Sequence, residues 1–181
     1  MRNILKNRKA LSTVVTTLII LVVSVLLAGV VTYFAINVTS TRVQEESLNL
    51  THQHVWHNST VAQAALMITN TGGRDVVIGK IAVRGQESTW TNVYYNISAT
   101  LPTSDFTFSN VIADANGTVT VDGITYKNAT TNLVLPSGQT LLIYINSPDS
   151  ISVNDIGLTV AISVFSAQAM YYKETNIQAA S

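Results

Sequence analysis

With 181 residues and no cysteine, the chain has room for one modest domain beside any membrane segment, and it excludes disulfides, thiolate metal sites and a lipid-modified N-terminal cysteine. Charged residues make up 11% of the chain, against roughly 25% in ordinary soluble proteins, a scarcity that needs a physical reason. The formal net charge is zero, yet Arg2, Lys6, Arg8 and Lys9 hold four of the ten basic residues, so the rest of the chain sets six bases against ten acids, a net of −4 with nothing basic to grip nucleic acid.

Directly after the basic cluster, no Asp, Glu, Lys or Arg occurs from Ala10 until Arg42. A helix over Ala10 to Ile36 would rise about 40 Å at ~1.5 Å per residue, more than the ~30 Å hydrocarbon core of a bilayer. A secretory signal has an apolar core of only about 7 to 15 residues followed by a small-residue cleavage site, so a removed signal is the weaker reading. The basic side faces the cytoplasm by the positive-inside rule, which places the remainder of the chain outside the cell. Thr13, Thr16, Thr17, Ser24, Ala28, Gly29 and Thr32 interrupt the Leu, Ile and Val residues, and small side chains let neighbouring helices approach closely. Ser and Thr that bond back to their own helix are tolerated in any spanning segment, so a plain anchor is the competing reading.

In "NRKALSTVV" the pair Arg8 and Lys9 is followed by Ala10, Leu11 and Ser12 ahead of the apolar helix. This resembles the processing site of type IV pilins, the archaeal ones in particular. The resemblance implies that residues 1–10 are a leader and that a membrane-embedded prepilin peptidase cuts after Lys9 and Ala10, leaving Leu11 as the mature N-terminus. It implies that the helix, residues 11–48, is first a membrane anchor and then filament core, with Thr13, Thr17, Ser24, Ala28 and Gly29 as packing positions. Bacterial members usually carry Glu at the fifth mature position; here that position is Val15, and archaeal relatives commonly lack the acid.

Residues 49–60 are expected to form a polar neck. His52, His54 and His57 fall within six residues, but on an extended strand His57 faces away from the other two and no acidic residue lies within the cluster. No metal site is expected, and a neck packed around Trp56 is preferred.

From Val61 the sequence becomes a series of short β-branched and aromatic runs. Strands are predicted at 61–69, 75–84, 89–98, 105–112, 117–121, 124–128, 131–135, 139–146, 157–166 and 169–174. "NTGGRD", "DANGT" and "VDGIT" carry the Gly and Asn or Asp residues that turns with positive φ require. The expected fold class is α+β: the long N-terminal hydrophobic helix followed by an antiparallel β-sandwich over 61–181. "MITNTGGRDVVIGKIAVRG" and "LPSGQTLLIYIN" with "DIGLTVAISVFS" resemble the opening and closing strands of the immunoglobulin-like head of archaeal pilins and archaellins.

No nucleophile elbow, phosphate loop or paired-carboxylate signature occurs, and Asp114 with Asn116, or Asp149 with Asp155, lacks the oxygen spacing of a calcium loop. No catalytic residue, cofactor or enzyme activity is expected. Asn-x-Ser/Thr sequons stand at Asn37, Asn49, Asn58, Asn96, Asn116 and Asn128. Of these, Asn37 lies in the crowded helix, leaving Asn49, Asn58, Asn96, Asn116 and Asn128 as candidate glycan acceptors. Attached sugar would solvate a surface poor in charge. The resemblance implies a membrane-inserted precursor that becomes a subunit of an extracellular, adhesive pilus. Its partners would be identical copies, the peptidase, an assembly ATPase and a membrane platform protein. An archaellin of a motility filament, or an anchored surface binding module that does not polymerise, are the alternatives.

Overall fold

The computed structural model describes residues 5–43, 45–100, 102, 104–110 and 117–180. The chain divides into two compact units, Met1–Val43 and Gln44–Ser181. The first is a single helix, α1 (Leu5–Val43), and the second is a β-sheet domain. The helix stops short of the expected residue 48. Glu45 and Glu46 would sit unfavourably at the negative end of the helix dipole, and Ser47 is taken by the domain, its carbonyl accepting Thr71 N–H at 2.9 Å and Gly72 N–H at 3.1 Å.

The strands of the domain are β1 (Leu48–His57), β2 (Ala62–Asn70), β3 (Val76–Val83), β4 (Gln86–Glu87), β5 (Val93–Ser98), β6 (Thr118–Val121), β7 (Ile124–Asn128), β8 (Leu133–Leu135), β9 (Thr140–Asn146), β10 (Thr159–Ser166) and β11 (Met170–Ala179). They form one sheet in the order β4-β3-β10-β11-β1-β2-β9-β5-β7-β6, with β8 also on β3. All pairings are antiparallel except β1 with β11, which is parallel and short, Val55 to His57 against Ile177 to Ala179. The sheet curls, so that Leu66 and Ile68 of β2 and Ile143 and Ile145 of β9 share one core with Ile78 and Ile81 of β3, Ile162 of β10 and Ile177 of β11. The outer face of the β1, β2, β9, β5, β7, β6 half carries a second cluster, with Trp56, Met67, Tyr94, Tyr126, Leu142 and Tyr144. Strands β2 and β9 are thus covered on both faces, which is why they read as unbroken apolar runs instead of alternating ones.

Asp122 (φ 51°) and Gly123 (φ 79°) make the two-residue turn between β6 and β7, and Arg84 (φ 51°) with Gly85 (φ 81°) make the one between β3 and β4. Positive φ at both central positions matches the right-handed twist of the flanking strands, and Gly takes it without strain. The "NTGG" and "LPSG" turns meet at one end of the sheet. Fully buried Asn70 donates to the Arg74 carbonyl at 2.8 Å and to that of Leu135 at 3.1 Å. Its own carbonyl accepts Gly138 N–H, and Ser137 Oγ donates to the Gly72 carbonyl at 2.6 Å.

Three sequence expectations are corrected. The expected neck is β1, an interior strand between β2 and β11. A one-residue bulge between Thr51 and His54, with His52 in the left-handed region at φ 51°, reverses the inside-outside alternation: Leu48 and Leu50 face the core before it and Val55 after it. That reversal hides the period of two. Residues 105–110 are no strand, while 111 and 112 lie outside the described residues. Phe106 and Phe108 do alternate inward, but they form a strap over the second cluster. Strand β5 begins only at Val93 because Trp90–Asn92 make a 3-10 turn.

Candidate functional site

His52, His54 and the strap converge on the outer face. His54 Nε2 lies 3.0 Å from Asp105 Oδ1, and its ring stacks on Trp56 at 5.0 Å and 6°. The strap is fastened mainly by side chains. Tyr144 Oη donates to the Thr107 carbonyl at 2.9 Å, and Thr107 Oγ1 donates to Asp122 Oδ2 at 2.6 Å. The carboxamide of Gln63 grips Ser109 on both sides, accepting its N–H at 2.9 Å and donating to its carbonyl at 3.2 Å. Beside it, a shallow pocket is lined by His52, Asp105, Phe106, Asp122, Tyr126 and Tyr144 among others.

Electrostatics here follow from burial and from those bonds. Burial works to raise Asp105, but the Phe106 N–H and the facing His54 outweigh it and hold the carboxyl below the usual range. Burial, reinforced by the Asp122 charge, pushes the Tyr126 phenol up to about 12, and Tyr144 is raised by burial in the same way. His57 sits apart from the pair. It is 8% exposed, and its Nδ1 is buried without a partner. Among the described residues, no three His, Cys, Asp or Glu side chains gather as a metal-binding group. Asp105 is the element that sequence reading missed: it is 51 residues from His54, and nothing local signals the pairing.

The second candidate surface is α1. Leu11–Thr41 is long and apolar enough to cross a membrane by length and composition, and none of it is buried within the protein. Four hydroxyls of the span bond back to the helix itself: Thr16 donates to the Ser12 carbonyl at 2.9 Å, Thr17 to Val14 at 2.9 Å, Ser24 to Ile20 at 2.7 Å and Thr32 to Ala28 at 2.8 Å. They therefore reach an apolar surrounding already paired. At about 100° per residue, Thr13, Thr17, Ser24 and Ala28 fall within a sector of roughly 60°, while Gly29 points about 100° away from Ala28. Ala35 and Thr39 extend the same stripe. The pairs Thr13 and Thr17, Ser24 and Ala28, and Ala35 and Thr39 repeat every 11 residues, and a spacing of about 3.67 per turn keeps the stripe almost parallel to a straight helix. That period was available in the sequence. Gly29 belongs to the helix but not to the stripe.

The expected cleavage positions Lys9, Ala10 and Leu11 lie inside the continuous backbone of α1, and Leu11 is 69% exposed. Among the candidate acceptors, Asn49 is in β1, Asn58 in the β1–β2 turn, Asn96 in β5 and Asn128 at the end of β7; Asn116 lies outside the described residues. Neither protein-family models nor curated protein sequences give a match to this chain.

Proposed function

We propose that the chain is a structural subunit of an extracellular, type IV pilus-like filament of archaeal style, adhesive in role and without catalytic activity. The observation that carries the reading is α1: a 31-residue apolar span, with nothing of it buried in the protein, preceded by a basic leader-like stretch and followed by a separate β domain with its own core. An apolar surface of that size needs a bilayer or other apolar helices around it. The small-residue stripe supports helices as the final surroundings, since small side chains allow close lateral packing. In this reading the span holds the precursor in the membrane. A prepilin peptidase then cuts between Ala10 and Leu11, and an assembly ATPase with a platform protein stacks the helices into the filament interior. The head is read as immunoglobulin-like, supported by the two halves of the curled sheet enclosing one core.

The test is electron microscopy of the cell surface, joined to mass spectrometry of the surface protein. Filaments lost on deletion of the chain, built of a species that begins at Leu11, are expected. A surface protein that retains Met1, or a cell surface whose filaments are unchanged by the deletion, overturns the reading.

A further inference from the structure

Four of the sequons lie on described residues of the head, and their surroundings differ in kind. In three of them the middle residue belongs to the interior. Leu50 of Asn49-Leu50-Thr51 is 3% exposed, Ala129 of Asn128-Ala129-Thr130 is 1% exposed, and Ile97 of Asn96-Ile97-Ser98 packs against the main core. An enzyme that grips all three residues would have to draw the core residue out and unzip a strand.

The asparagines of two strand sequons are also occupied. Asn128 Nδ2 donates to the Thr91 carbonyl at 2.7 Å, and Asn96 Nδ2 donates to that of Thr125 at 2.9 Å. Both bonds reach from one chain segment to another beside the short β5–β7 ladder, which joins only Tyr94 and Tyr95 to Asn128 and Lys127. These two carboxamides thus act as structural connectors. In the third strand sequon, the Asn49 side chain is exposed, but the Thr51 hydroxyl is buried without a partner.

Asn58-Ser59-Thr60 is different throughout. It forms the turn between β1 and β2, with Ser59 and Thr60 exposed. Asn58 Oδ1 accepts the Thr60 N–H at 2.9 Å, the Thr60 hydroxyl at 3.1 Å and the Val61 N–H at 2.6 Å. Three donors on one oxygen fix the plane of the amide, and they leave Nδ2 with one long contact, 3.4 Å to Asn110 Oδ1 at the surface. The hydroxyl that defines the sequon is already bonded to the carboxamide, drawing electron density from it and making the Nδ2 proton easier to lose.

We propose that Asn58 is the N-glycan acceptor of the folded head and that Asn49, Asn96 and Asn128 are not. The donor is an oligosaccharide carried on a polyprenyl phosphate or diphosphate. A bond forms from Asn58 Nδ2 to sugar C1, the C1–O bond to phosphate breaks with its electron pair staying on the phosphate, and the proton that Nδ2 gives up passes to the released polyprenyl phosphate or diphosphate. The inference rests on the head lying outside the cell, but not on polymerisation.

The full-length chain is taken from membranes of its own host and glycans are localised to single residues by mass spectrometry. Sugar on Asn58 with Asn49, Asn96 and Asn128 bare is expected. Bare Asn58, or comparable occupancy at Asn49, Asn96 or Asn128, overturns the proposal, the latter because transfer would then precede folding. Thr60→Ala should abolish the modification, Thr60→Ser should keep it, and Asn58→Asp should lose the sugar while preserving an acceptor oxygen for the turn. Sugar retained in Thr60→Ala also overturns it. External protease on intact cells separates the causes of a negative result: a protected head means that the outside location fails, whereas a digested head with bare Asn58 means that the acceptor assignment itself is wrong.

Discussion

Gly72 shows how a single position can fix the start of a domain. A Cβ there would meet the Glu45 carbonyl oxygen at 2.5 Å and the Ser47 nitrogen at 2.8 Å, both backbone atoms that cannot swing aside. Gly72→Ala should therefore destabilise the head by about 1–3 kcal/mol, the usual range for over-packing. Gly79→Ala, with nothing within 4 Å, should leave stability level or raise it by up to about 1 kcal/mol through lower unfolded-chain entropy. Paired urea titrations check the contrast, and equal midpoints would refute it. Asp155 sets a pH dependence on the same scale. Hydrogen bonds from the side chain and backbone of Ser152, then Arg84 at 3.0 Å, hold its carboxyl below the ordinary 3.8. A folded value below the unfolded one gives stability that is complete above 3.8 and lost as pH falls through the folded value. Asp155→Asn should thus shallow the fall in melting temperature below about pH 4 while leaving the curve above it parallel to the parent. Identical acid limbs would contradict the assignment.

Among the elements, β1 and the strap behave oppositely to their local sequence. The run "LNLTHQHVWH" looks like polar connector, yet it is an interior strand with β2 on one side and β11 on the other. A head beginning at Glu45 should fold with a cooperative thermal transition, whereas one beginning at Val61 should aggregate, because removing β1 opens two strand edges and uncovers the core. Circular dichroism melts decide between them. The strap shows the reverse. Its alternating phenylalanines read as a strand, but its anchoring falls to side chains, above all Gln63. Gln63→Ala removes the two bonds to the Ser109 backbone and the one to the buried Asn146 carboxamide, so a loss of about 1–3 kcal/mol is expected. Hydrogen exchange should then quicken at 105–110 before the rest of the sheet.

For the whole molecule, the stripe on α1 turns the filament reading into a comparison between neighbours. Ala28→Leu adds bulk on the stripe, where lateral contacts would repeat in every subunit at about 1–3 kcal/mol each, and filament yield should fall sharply. Gly29→Leu places the same bulk about 100° away and should cost less. Filament counts by negative-stain microscopy measure both, and equal yields would detach packing from the stripe.

The sequence by itself determined the apolar helix, most strands of the head and the Asp-Gly turn between β6 and β7, because charge-free length, β-branched runs and an Asp-Gly pair are decided by local backbone and solvation physics. The 11-residue spacing on α1 was legible there too, since it depends only on helical geometry. Tertiary structure alone decided the place of β1, the pairing of His54 with Asp105, and the contrast among the sequons. A bulge shifts register without a composition signal, and residues 51 apart meet only when a strap crosses a sheet. An identical Asn-x-Ser/Thr triplet is exposed or locked according to whether its middle residue happens to face the core.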